Sequence, residues 1–70
     1  MSRTEILNAH AAKLNADYEA LCVGGGMTTR AFWENICSQY TNGVIKRFLT
    51  LRGVKPAATM PRLCAQVEAL

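Results

Sequence analysis

Apolar side chains recur every three or four residues along most of this chain, a spacing that predicts helices. Leu7, Ala11, Leu14, Tyr18 and Leu21 form the first stripe. Ser2 and Glu5 have the spacing of a capping box, with Met1 and Ile6 placed as a hydrophobic staple. The run Gly24-Gly25-Gly26 predicts the stop. Thr28 or Thr29 can cap a second helix, with Phe32, Ile36 and Tyr40 along one edge and Trp33 and Cys37 beside them. So wide an apolar face predicts a central helix, ended by Thr41-Asn42-Gly43.

Val44, Ile45, Phe48 and Leu49 come as two pairs spaced by four. They fit a third helix and break the alternation a strand would need. Gly53 then falls just past the C-cap, with Val54 positioned to touch Leu49 as in a Schellman motif and Pro56 preventing resumption. Lys55 to Ala58 reads as a linker. Thr59, Met60 and Pro61 read as a helix start, and Leu63, Val67 and Leu70 as its apolar stripe. The prediction is an all-α fold: one domain over residues 1–70, a compact bundle of about four short helices.

Composition adds a consequence for assembly. Half of the 70 residues are hydrophobic, which is ample for a core and argues against disorder. A single core at this length gives marginal stability, and surplus apolar surface is expected after the monomer folds. A homodimer is the expected way to cover it.

Charge is divided unevenly. Residues 35–67 carry Lys46, Arg47, Arg52, Lys55 and Arg62 and no acidic side chain. The preceding segment mixes Arg3, Lys13 and Arg30 with Glu5, Asp17, Glu19 and Glu34. This asymmetry predicts a side of the protein suited to an anionic partner.

Ile45-Lys46-Arg47-Phe48-Leu49, following the break at Thr41-Asn42-Gly43, resembles the recognition helix of a generic helix–turn–helix DNA-binding domain over residues 29–53. Such helices alternate apolar residues that seat the helix with polar residues that face DNA. The resemblance implies that Asn42, Lys46, Arg47 and Thr50 face the groove or its phosphates, with Arg52, Lys55 and Arg62 as flanking backbone contacts. Two departures stand out. Trp33 and Glu34 occupy the region where a small residue is usual, and the break is longer than the usual tight turn. The expected function is a small cytoplasmic transcriptional regulator that binds duplex DNA. A second expectation, from a different class, is a compact adaptor or inhibitor of the phage or plasmid kind. It would bind a host protein through exposed aromatic and basic residues, with Trp33 and Tyr40 as interface anchors.

Other chemistries find little support. The glycine run lacks the Gly-Lys-Ser/Thr ending of a phosphate-binding loop. Cys22, Cys37 and Cys64 are odd in number, far apart in sequence and without a Cys-x-x-Cys pair, so they read as reduced, small core residues. His10 is the only histidine and has no carboxylate nearby in sequence. No catalytic residue, metal ligand or organic cofactor is therefore expected. The N-terminal segment has no apolar leader region and no apolar run is long enough to cross a bilayer, so no membrane partner is expected.

Overall fold

The computed structural model describes all residues, 1–70. The fold is all-α. Four α-helices, α1 (Arg3–Tyr18), α2 (Thr29–Asn35), α3 (Asn42–Leu51) and α4 (Met60–Glu68), are joined by a π-helical turn at Glu19–Val23 and a 3₁₀ turn at Cys37–Gln39. Helix α1 packs mainly on α3, and α2 on α4, with α3 also touching α4.

The core is entirely apolar. Leu14, Phe32, Cys37, Ile45, Phe48, Leu49, Leu63 and Val67 have no exposed surface, and no polar or charged residue is buried. Three rings meet at its centre. Tyr18 lies edge-on to Phe32 at 5.5 Å and to Phe48 at 5.6 Å, and Phe32 lies 6.0 Å from Phe48. Edge-to-face geometry at these distances adds to the stabilisation from burial.

Helix α1 begins as its sequence predicts, with the Glu5 N–H donating to Ser2 Oγ at 3.2 Å. The hydrophobic staple does not close: Met1 is 90% exposed and Ile6 is 42% exposed. The C-terminal end departs further. The chain widens after Tyr18 into the π turn, where the Gly24 N–H reaches back five residues to the Glu19 carbonyl at 2.8 Å. A wider turn rotates every later side chain. Leu21, expected in the stripe, is turned to solvent, and Cys22 packs against the core instead. Gly25 has a specific reason to be glycine, since a Cβ there would lie 2.6 Å from the Leu21 carbonyl oxygen.

Thr28 caps α2, accepting from the Ala31 N–H at 3.1 Å. The second helix is shorter than its apolar pattern predicts. It ends at Asn35 because Ile36 leaves helical geometry (φ −125°, ψ −62°). Polar side chains donate to carbonyls along this end: Asn35 Nδ2 to Ala31 at 2.8 Å, and, beyond the last helical bond, Ser38 Oγ to Glu34 at 3.0 Å and Gln39 Nε2 to Asn35 at 2.9 Å. Such side-chain bonds compete with helix continuation. The 3₁₀ turn tucks Cys37 into the core. Asn42 and Gly43, expected in the break, are the first residues of α3.

Helix α3 matches its pattern residue for residue: Val44, Ile45, Phe48 and Leu49 are all buried. Its end is a Schellman motif. Gly53 has φ +79°, the Val54 N–H donates to the Leu49 carbonyl at 2.9 Å, and the Gly53 N–H donates to the Thr50 carbonyl at 3.0 Å. The linker beyond it is held by one side chain of α4. Gln66 Oε1 accepts from the Ala57 N–H at 2.8 Å, and Gln66 Nε2 donates to the Lys55 carbonyl at 2.8 Å. The Thr29 hydroxyl donates to the Glu68 carbonyl at 2.7 Å and ties the start of α2 to the end of α4.

Candidate nucleic-acid interface

Helices α1 and α3 lie side by side and run in the same direction. Near their starts, a Cβ on Gly43 would meet Leu7 Cδ2 at 3.4 Å. Near their ends, the Arg52 guanidinium reaches Asn15 Oδ1 at 3.3 Å and Glu19 Oε1 at 3.1 Å. The small side chain of Ala11, 1% exposed, lets the two helices close together between those points. With its apolar pairs turned inward, α3 must turn Lys46, Arg47 and Thr50 outward.

These three residues form the centre of the site. Lys46 and Arg47 are half-buried. Thr50 is exposed, and its hydroxyl donates to the Lys46 carbonyl at 3.0 Å. That donor is therefore already used within the helix. Only two ion pairs exist in the protein, Arg30–Glu34 and Arg52–Glu19. Lys46, Arg47, Lys55 and Arg62 are thus all without a carboxylate partner.

The remaining sequence-predicted residues lie elsewhere. Arg52 is turned back toward α1, paired with Glu19 and stacked over the Tyr18 ring at 4.7 Å. Its charge is largely committed to the fold. Lys55 is exposed on the linker, and Arg62 is exposed on the first turn of α4. Asn42 lines a separate open groove of about 830 Å³ between the start of α1 and the start of α3, together with Arg3, His10 and Tyr40. His10 lies edge-on to Tyr40 in that groove, at 6.2 Å. Trp33 and Tyr40 are both half-buried against the core.

Two neighbours of the basic face are not identifiable from the sequence. A notch of about 260 Å³ between α1 and α3 is lined by Asn8, Ala11, Ala12, Arg47, Thr50 and Leu51. Asn8 and Leu51 join the face only because the two helices run parallel. The one signal in the sequence is Leu51 itself, an apolar residue outside the inward stripe of α3.

The cysteines are all free thiols. Burial pushes Cys37 up to about 12, helped by the neighbouring Cys22 and Cys64 thiols. Burial also raises Cys22, and raises Cys64 with help from Glu68. No group of three or more His, Cys, Asp or Glu side chains is arranged to hold a metal ion. No helix is long and apolar enough to cross a membrane.

In comparisons with known proteins, no family model matches the chain, and no curated protein or solved structure is significantly similar to it. The functional reading therefore rests on the arrangement of its own side chains.

Proposed function

We propose that the outward face of α3 binds the phosphate backbone and groove of duplex DNA, and that the protein acts as a small DNA-binding regulator of transcription. One observation carries this reading. Lys46 and Arg47 both project from the solvent side of a helix whose inner face is wholly buried, and neither has an acidic partner. Cations held on a rigid element without intramolecular neutralisation suit phosphate contact and counterion release. Lys55 and Arg62, also unpaired, supply the flanking backbone contacts in this reading. Arg52 is a positioning residue, because its guanidinium is held by Glu19 and Tyr18.

The test is competition. A duplex selected from a random pool should outcompete bulk DNA at near-physiological salt, and its affinity should fall steeply as salt rises. The paired change Lys46→Glu and Arg47→Glu should abolish that binding while leaving helicity intact. If no sequence outcompetes bulk DNA, the regulator reading fails.

The reading includes a homodimer, which would place two copies of α3 on two half-sites. Leu21 and Val23 are 37% and 66% exposed at the end of the π turn and offer apolar surface for self-association. Sedimentation at micromolar concentration should then report about twice the chain mass.

The groove beside Tyr40 favours a second reading, that of an adaptor or inhibitor. Its apolar floor of Ile6, Leu7 and Val44, with Arg3 and the imidazole of His10 on its wall, suits a segment of a host protein. That reading expects negligible duplex affinity even at low salt, and loss of partner capture on Tyr40→Ala or Trp33→Ala.

A further inference from the structure

The notch between α1 and α3 breaks the polar character of the proposed DNA-binding face. Ala11, Ala12 and Leu51 give it an apolar floor, and Leu51 is 57% exposed. Asn8, Arg47 and Thr50 form its rim. No carboxylate lines it. The Asn8 amide makes no hydrogen bond within the protein, and the Arg47 guanidinium makes neither a hydrogen bond nor an ion pair, so both are free for a ligand. The Thr50 hydroxyl is donated to the Lys46 carbonyl, which leaves its methyl as the apolar group it can offer.

We propose that this notch is the base-reading element of the protein, that it takes the C5-methyl group of a thymine in the major groove, and that the Asn8 amide pairs with the edge of an adjacent adenine. The inference rests on the DNA-binding reading and gives it a ligand class, duplexes with an A·T step at a fixed position. Three features support the assignment. Thymine is the base whose major-groove edge presents a methyl group, and small apolar side chains are its usual contact. A free asparagine amide matches the donor and acceptor pair on adenine. The unpaired Arg47 on the rim of the notch draws in a phosphate beside such a step. Charge complementarity with DNA, supplied by Arg47, therefore borders an apolar contact that the phosphates themselves do not require.

The experiment uses the full chain and the duplex selected from a random pool. Each thymine is replaced in turn by uracil, which removes only the methyl. Replacement at one position should weaken binding about fourfold, the effect of one methyl group's burial. Leu51→Asn should abolish that difference between thymine and uracil. Asn8→Ala should relax the preference at the neighbouring position about tenfold. Both residues are exposed, so both variants should keep wild-type helicity. If the wild type selects a sequence but every uracil duplex binds as well as its thymine parent, the notch assignment is overturned and the broader reading stands. The assignment is equally overturned if Leu51→Asn converts a dimer to a monomer without altering duplex preference, since the notch then belongs to a protein contact. If no duplex outcompetes bulk DNA, the broader reading falls and this one falls with it.

Discussion

On its inward face α3 buries Val44, Ile45, Phe48 and Leu49; on its outward face it carries Lys46, Arg47, Thr50 and Leu51, none of them fully buried. The inward residues are fixed by neighbours in α1, α2 and α4. Of the outward ones, Lys46 and Arg47 have no ion-pair partner, and the Thr50 hydroxyl bonds only within the helix, to the Lys46 carbonyl. One helix thus separates two kinds of constraint, packing on one side and charge on the other. Substitutions on the two sides should fail in different assays.

The largest effect is expected inside. Phe48 has no exposed surface and touches both Tyr18 and Phe32. Phe48→Ala should cost about 3–5 kcal/mol in chemical denaturation, a large fraction of the stability of so small a domain. Duplex binding would fall with it, but only through loss of folded protein.

The outward face should behave in the opposite way. Lys46→Glu with Arg47→Glu should move the denaturation midpoint little, because neither cation has an ion pair to lose. Duplex affinity should drop at least tenfold. Removing one phosphate contact alone, with Lys46→Gln, should reduce the slope of log affinity against log salt by about 1. An unfolded double variant would break the separation of the two faces.

Two changes at the end of the helix sharpen the comparison. Gly53 has φ +79°, in the left-handed region, so Gly53→Ala should destabilise by about 1 kcal/mol and loosen the last turn without touching either face. Glu19→Gln removes the carboxylate that holds Arg52, on a side chain that is itself 60% exposed. Its stability cost should stay below about 1 kcal/mol in the same titration. Any gain in duplex affinity in that variant would show that the released Arg52 reaches phosphate.

The inward face of α3 was legible because four buried residues at helical spacing admit one reading, and Gly53 with Val54 closes the element in a single way. Helix α2 was less legible. Phe32, Ile36 and Tyr40 keep a helical period, yet the helix stops at Asn35, and Ser38 and Gln39 take the carbonyls left at its end. That competition depends on side-chain conformation, which apolar periodicity does not encode. The π turn was hidden for a related reason. Leu21 fits the stripe at every step, and only the wider turn at Glu19–Val23 turns it out. In the candidate interface, Lys46, Arg47 and Thr50 followed from the opposite face of α3. The retreat of Arg52 onto Tyr18, and the arrival of Asn8 beside Arg47, depend on the direction in which α1 and α3 pack, and no local pattern carries that.

The amide of Gln66 also acts as a length gauge. It meets one N–H and one carbonyl two residues apart, on Ala57 and Lys55, so the segment between them fits at one length only. An inserted residue there would throw one of the two bonds out of step and let α4 roll about its long axis. At Gly26, by contrast, a Cβ would meet nothing within 4 Å. For anyone grafting a tag or an epitope into this protein, the two connections are therefore not equivalent. A side chain can be added at Gly26 without a clash, whereas the segment spanned by Gln66 cannot take an extra residue.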